Sequence, residues 1–182
     1  MVNGLAVTGA GGDVLIVEAT AMDGEGPERG SLLLTGQLGD VMTESGKIAL
    51  SYIRSQREAL AIDPAAFDRR FHVHFPAGAV PKDGPSAGVT MTTALVSLLT
   101  GRAVKPSVGM TGEVTLQGKV LPIGGVKQKL LAAHRAGLTD VIIPAANEPD
   151  LDDLPRTVRD ELRVHPVAHV REVLAIALED AA

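Results

Sequence analysis

SVGMTGEVTLQGKVLPIGGVKQKLLAAHRAGLTDVIIP, residues 107–144, is the stretch that decides the fold class. Its first part predicts two short strands around the turn at Gln117-Gly118. Residues 126–137 then follow a helical pattern that ends at Gly137, a residue suited to a left-handed cap. Residues 139–144 predict a short buried strand of the parallel type. Strands and helices alternate along this stretch, which is typical of a mixed α/β domain.

The half of the chain that precedes this stretch predicts hairpins and two helices. Residues 4–20 read as a strand, a glycine-rich turn and a second strand, and residues 31–36 offer a third strand. From residue 39 to about residue 62 the apolar positions fall at helical spacings. FHVHFP, residues 71–76, alternates like a strand, and a further helix follows Ser86. With 182 residues, the chain is expected to form one mixed α/β domain without an internal boundary.

Composition narrows the classes of function. Hydrophobic residues make up 45% of the chain and aromatic residues 2%, so the core is aliphatic. A formal charge of −5 without a dense Lys/Arg run argues against a nucleic-acid surface. The absence of cysteine excludes disulfides and thiolate metal sites, and with no apolar leader after Met1 we expect a reducing, cytoplasmic setting. No run approaches the ~20 apolar residues of a membrane span.

The serine in DGPSAG is the first candidate for chemistry. Pro85 suits the first helical position, so Asp83 or Gly84 is expected to cap the helix and Ser86 to lie in its first turn. There the hydroxyl would lie beside unpaired backbone N–H groups that can hold the oxyanion of an acyl transfer. The ordinary alternative is a solvated serine with no role.

A nucleophilic serine needs a base, and the chain offers histidines and lysines. Residues 84–88, GPSAG, have the spacing G-x-S-x-G, but we do not expect a nucleophile elbow of the hydrolase kind there, and spacing alone leaves a Ser-His-Asp triad open. The histidines are His72, His74, His134, His165 and His169.

Lysine is the other candidate base. Lys127 and Lys129 lie about 200° apart around the predicted helix, and Lys129 lies on the same helix face as small apolar residues. Lys129 is therefore expected to be the half-buried one, although a lone helical lysine is more often solvated. A lysine base must fall from a pKa of about 10.4 to roughly 7–8, which burial can supply. Thr111 could accept from the neutral amine, or be an ordinary strand threonine.

Three segments carry a resemblance to a known family. PKDGPSAGVTMTTALVSLLTG (81–101), MTGEVTLQGKVLPIGGVKQKLLAAHRAG (110–137) and DVIIPAANEPDLDDLP (140–155) look like the peptidase domain of the Lon protease family, bacterial A type. The similarity extends over essentially the whole chain. The motif PKDGPSAG followed by the two-lysine helix is highly specific to this family.

The resemblance implies a Ser-Lys dyad. By it, Ser86 is the nucleophile, Lys129 the general base, and Thr111 a hydrogen-bonding neighbour of the two. Asp83 would belong to a loop that switches between an open and a self-inhibiting arrangement, because a carboxylate near Lys129 would hold the amine protonated.

Three further residues match family positions near the site. They are His72, His74 and Glu113, for which a supporting part around the dyad and a purely structural part are equally open.

The resemblance also implies the fold, the substrates and the assembly. The family fold is a compact α/β domain with N-terminal hairpins, similar to ribosomal S5-type domains, and it forms a hexameric ring. The implied activity is a serine endopeptidase that cleaves unfolded or damaged polypeptides in ATP-dependent protein quality control. Family members carry an ATPase module and an N-terminal substrate domain, so this chain is expected to be an excised or free-standing peptidase unit. The chain lacks the phosphate-binding loop G-x-x-x-x-G-K-[ST]. ATP and Mg²⁺ would therefore be used only by the separate ATPase module, and no cofactor or metal is expected in this chain.

Two other classes of function remain as alternatives. Lon-like domains without the dyad act as oligomeric scaffolds, and the presence of both Ser86 and Lys129 argues against this reading. A phosphate-binding enzyme could use GPSAG or PIGG at a helix start, but the sequence has no phosphate-binding lysine in a recognised loop.

Overall fold

The structure, a computed structural model, describes residues 1–181. Within these residues the chain forms nine β-strands and five α-helices, separated by short loops and three 3₁₀ helices. The strands are β1 (Val2–Thr8), β2 (Gly11–Met22), β3 (Leu32–Thr35), β4 (Arg70–His74), β5 (Val108–Met110), β6 (Glu113–Val114), β7 (Val120–Leu121), β8 (Asp140–Pro144) and β9 (Arg163–Val167). The helices are α1 (Asp40–Ser55), α2 (Gly88–Thr100), α3 (Val126–Arg135), α4 (Arg156–Glu161) and α5 (Val170–Ala177).

Seven strands form one mixed sheet in the order β3-β4-β2-β1-β5-β8-β9, and β6 and β7 form a separate hairpin. β2 pairs antiparallel with both β1 and β4. The pairs β3–β4, β1–β5, β5–β8 and β8–β9 are parallel. The predictions of a mixed α/β fold, an opening hairpin and a parallel strand at residues 139–144 are confirmed.

Helices cover the sheet on both faces, which produces two apolar clusters. Alternation along β8 shows this directly, because Ile142 belongs to one cluster whereas Val141 and Ile143 belong to the other. The larger cluster contains buried residues of α1, α2 and α5, and residues 88–96 of α2 are all buried. The smaller cluster joins α3 to β1 and β8. In the described part of the chain, no helix combines the length and hydropathy of a membrane span.

The first helix is shorter than its sequence pattern predicts. α1 ends at Ser55 instead of near residue 62. The chain continues in turns, with the Leu60 N–H donating to the Gln56 carbonyl at 2.9 Å, and Ala61 adopts a φ of 55° that ends the helical path. These turns keep an approximately helical direction, so the apolar spacing persists after the helix has ended.

A close backbone approach fixes α3 on the β1–β2 hairpin. A Cβ atom at Gly12 would lie 2.0 Å from the Gln128 carbonyl oxygen, a distance that real Cβ atoms do not reach. Only a residue without a side chain therefore permits this spacing between β2 and α3. The contact matters for the site, because α3 carries Lys129.

We expect Gly12→Ala to lower the free energy of unfolding by about 2 kcal/mol or more, because the added methyl group must push α3 away from the hairpin. Urea unfolding measures the effect. Gly9→Ala is the matched control, since a Cβ at Gly9 would have no atom within 4 Å. Equal stability of the two variants would contradict this packing.

Candidate active site

Ser86 lies in a turn immediately before α2. The helix begins at Gly88 with Ala87 as its N-cap, so the prediction that Ser86 occupies the first helical turn is wrong by two residues. The reason is a turn that precedes the helix in the chain, in which the Gly88 N–H donates to the Pro85 carbonyl at 3.2 Å. The Ser86 carbonyl accepts instead from the Gly112 N–H at 2.8 Å, which ties the serine to the segment after β5.

Lys129 is buried in the second turn of α3. Only 3% of the surface of Lys129 is exposed to solvent, whereas Lys127 is exposed. The prediction that Lys129 is the lysine turned inward is confirmed. Its Nζ atom donates to Thr111 Oγ1 at 3.1 Å. Burial lowers the pKa of Lys129 from its ordinary value of 10.5 to about 8.

The dipeptide Thr111-Gly112 connects the two candidate residues. Thr111 accepts from Lys129, and Gly112 donates to Ser86 and accepts from the Val89 N–H at 3.1 Å. Gly112 is buried, and a Cβ there would lie 2.8 Å from Val120 Cγ1. Nothing in the sequence points to Gly112 except that this glycine directly follows Thr111.

Ser86 and Lys129 line the same open pocket, here called the dyad pocket. It has a volume of about 520 Å³ and lies between β1, residues 83–86, residues 122–125 and Lys129. Ser86 also lines a second, more apolar cavity of about 340 Å³, here called the loop pocket. The loop pocket lies between the β1–β2 hairpin and residues 77–87. The serine therefore stands where two cavities meet.

The Asp83 carboxylate lines both pockets but is bound to the start of α1. Its Oδ1 atom accepts from the N–H of Met42 at 2.9 Å and from the N–H of Gly84 at 2.8 Å. These bonds, led by the one from Met42, lower the pKa of Asp83 below its ordinary value. Among the described residues, the Asp83 carboxylate forms no hydrogen bond or ion pair with the Lys129 amine, and burial is the cause of the lowered Lys129 pKa.

The structure does not bring His72, His74 and Glu113 into either pocket lining. His72 Nε2 and His74 Nδ1 lie 2.8 Å and 2.7 Å from Thr35 Oγ1. They project from the face of β4 opposite the buried Phe71 and Val73.

Glu113 is half-buried in β6, opposite Leu121. Within residues 1–181, no group of three or more His, Asp or Glu side chains is arranged to hold a metal ion.

Comparisons with known proteins agree on one family. The sequence profile of the Lon protease (S16) C-terminal proteolytic domain matches residues 1–180. The chain is 69% identical over 179 residues to a Lon protease of Salinispora arenicola, covering 98% of this chain and 22% of the relative. It is 64% identical over 178 residues to a Lon protease of Mycolicibacterium smegmatis, with the same coverage of 98% and 22%. It is 56% identical over 179 residues to Lon protease 1 of Bacillus subtilis, covering 98% of this chain and 23% of that protein. The chain thus spans less than a quarter of the length of these relatives.

The depressed pKa of Lys129 predicts a specific dependence of stability on pH. Below pH 8 both the folded and the unfolded chain carry the proton, and burial of the ammonium destabilises the fold by on the order of 3 kcal/mol. Between pH 8 and 10.5 the unfolded chain holds more protons, so stability rises with pH, and above 10.5 the penalty is absent.

We therefore expect Lys129→Met to be more stable than the wild type at pH 7, by roughly 2–3 kcal/mol, with the difference shrinking between pH 8 and 10. Urea unfolding across this range measures it. Lys127→Met, which removes an exposed lysine from the same helix, should match the wild type at each pH. A Lys129→Met difference that does not change with pH would contradict the shifted pKa.

Proposed function

Since the chain belongs to the family of Lon protease (S16) C-terminal proteolytic domains, we propose that it is a serine endopeptidase with Ser86 as nucleophile and Lys129 as general base. One observation carries this proposal above the others. A lysine amine with a pKa lowered by burial lines the same pocket as a serine hydroxyl. The alternative of a scaffold without catalysis gives no reason for this pairing, because an unpaired buried lysine destabilises the fold.

The lowered pKa lets Lys129 act as a base. With a pKa of about 8, roughly one amine in ten is neutral at pH 7, compared with about one in three thousand for an ordinary lysine. Thr111 Oγ1 accepts one N–H of the amine, which leaves the nitrogen lone pair free to be aimed at Ser86. Thr111 therefore acts by orienting the base.

Catalysis then proceeds by acyl transfer. Lys129 Nζ removes the proton from Ser86 Oγ, and the oxygen attacks the carbonyl carbon of a peptide bond. The N–H groups of Ser86 and Ala87, which precede α2, are the proposed donors to the oxyanion. Lys129 returns the proton to the departing amine, and a water molecule activated by the same lysine hydrolyses the acyl-enzyme.

The edge of β1 is the proposed site for an extended substrate. β1 pairs with β2 along its whole length but with β5 only at Asn3 and Gly4. The edge beyond Gly4 carries Ala6 and Val7, which line both pockets beside Ser86. A strand added there would gain main-chain hydrogen bonds whatever its sequence, and this mode requires an unfolded substrate. Unfolded or damaged polypeptides are therefore the proposed substrates.

The larger setting of the domain is part of the same proposal. We infer that it works as the proteolytic unit of an ATP-dependent protein, in which ATP and Mg²⁺ are used by a separate module and this chain needs no cofactor. A hexameric ring in the cytoplasm is the assembly that the family resemblance implies. Light scattering of the purified chain tests the ring, and a monomer at all concentrations would contradict self-assembly of this domain alone.

We expect Ser86→Ala and Lys129→Met each to lower cleavage of a flexible protein such as casein at least 10³-fold, because nucleophile and base act as a unit. Gel-based and fluorogenic assays measure the loss, and Lys127→Met should retain wild-type activity. Full activity of either dyad variant would exclude the proposed chemistry. Inactivity of the wild type towards every unfolded substrate would favour the scaffold.

The pH profile provides an independent test of the base. Log kcat/KM should rise with a slope near one up to about pH 8 and level off above it, because the neutral amine is the active form. The assay uses a short peptide whose own groups do not titrate in this range. A flat profile from pH 6 to 9 would rule out Lys129 as the base.

A further inference from the structure

Lys82, four residues before the candidate nucleophile, binds three backbone carbonyls at once. Its Nζ atom donates to the carbonyl oxygens of Gly36 at 2.8 Å, Ala77 at 2.9 Å and Val80 at 2.8 Å. An ammonium group has three N–H donors, so each of them is used within the protein and none is left for a substrate. We propose that Lys82 is a positioning residue that holds residues 77–84, here called the loop wall, in the shape that binds substrate.

The loop wall is attached to the start of α1 by a short ladder that includes Lys82. The Lys82 N–H donates to the Gln37 carbonyl at 2.9 Å, and the Gly39 N–H donates to the Lys82 carbonyl at 2.8 Å. The bond from the Met42 N–H to the Asp83 carboxylate extends the ladder by one step. The Lys82 amine extends the ladder in the other direction, because it binds the carbonyls of Gly36, Ala77 and Val80.

Backbone strain that needs such an anchor occurs in the loop wall and in the segment before α1 to which the loop wall is bound. Ala77 has a φ of 66° and Gln37 a φ of 60°, values in the left-handed region that residues other than glycine seldom adopt. The carbonyls of both residues accept hydrogen bonds from Lys82, one from the amine and one from the backbone N–H. Residues 77–81 are exposed, so apolar burial contributes little to holding this segment.

The loop wall forms one side of the loop pocket, opposite the β1–β2 hairpin. Ala77, Val80 and Pro81 of the loop wall line this pocket, as do Ser86 and Ala87. A substrate side chain next to the cleaved bond must pass between hairpin and wall, given the proposed position of the substrate along β1. The distance between them therefore controls affinity for substrate.

Ser86 itself is held by different contacts. Its carbonyl is fixed by Gly112, and the turn before α2 is closed by the bond from Gly88 to Pro85. Loss of the Lys82 amine should thus loosen the wall while the nucleophile stays in place. The kinetic consequence is a rise in KM with little change in kcat.

The experiment exploits the absence of cysteine from the chain. Lys82→Met keeps the length of the side chain and removes its three donors. Lys82→Cys introduces a single thiol, and alkylation with 2-bromoethylamine restores an ammonium at nearly the position of the lysine Nζ. Lys127→Met and aminoethylated Lys127→Cys are the matched controls on an exposed lysine. Mass spectrometry verifies complete alkylation.

We expect Lys82→Met to raise KM for a fluorogenic peptide about 5-fold or more and to change kcat less than about 2-fold. Amide hydrogen exchange at Gly39, Val80 and Lys82 should accelerate roughly 10-fold or more, the effect of losing hydrogen bonds to a charged group. Aminoethylation of Lys82→Cys should return both quantities towards the wild type. The Lys127 controls should show neither change.

Unchanged KM and unchanged amide hydrogen exchange in Lys82→Met would overturn the inference. So would a decrease in activity confined to kcat, or changes in KM and exchange that the restored ammonium does not reverse. The kinetic part rests on the proposed peptidase activity, whereas the exchange part does not. A wild-type chain that cleaves nothing would contradict the proposed function, and exchange in the Lys82 variants would then decide the positioning role alone.

Discussion

The burial of one lysine amine is the constraint around which the rest of the site is arranged. Lys129 lies in α3 with its Nζ atom against Thr111 Oγ1, and its surroundings disfavour the charged form. An amine of this kind destabilises the fold at neutral pH, so the packing of α3 on the β1–β2 hairpin must compensate for it. The close approach of Gly12 to Gln128 is part of that packing. Thr111 and Gly112, adjacent in sequence, then join the amine and the serine to one buried segment.

The two charged side chains of the segment PKDG, Lys82 and Asp83, are both hydrogen-bonded to backbone groups. Lys82 binds carbonyls at the end of β3 and in the loop wall, whereas Asp83 binds N–H groups at the start of α1. A free carboxylate beside Lys129 would favour its ammonium form, and a second ammonium in the pocket would add positive charge near it. Both side chains are bonded to backbone groups, and burial lowers the pKa of Lys129. The same contacts shape the pocket beside Ser86, so electrostatics and binding depend on one short stretch of chain.

Much of this arrangement could be predicted from local patterns. The hairpin, the parallel strand at residues 139–144 and the inward side of α3 follow from residue spacing, because period and burial are local properties. The position of Ser86 could not be derived in this way, since it depends on the turn closed by Pro85 and Gly88 and on the distant contact between Gly112 and Ser86. The catalytic assignments of Ser86, Lys129, Thr111 and Asp83 rest on the family resemblance and stay predictions. The contact of His72 and His74 with Thr35 could not be predicted from spacing either, because it depends on the pairing of β3 with β4.

Titration of the lysine side chains by NMR tests the central claim most directly. With lysine labelled at its side-chain nitrogen and carbon atoms, the account predicts one resonance that titrates near pH 8, disappears in Lys129→Met and persists in Lys127→Met. Because Thr111 Oγ1 accepts a hydrogen bond from the amine, Thr111→Val should also shift this titration. If the Lys129 resonance titrates near 10.5, the amine is charged at neutral pH and the proposed base is contradicted.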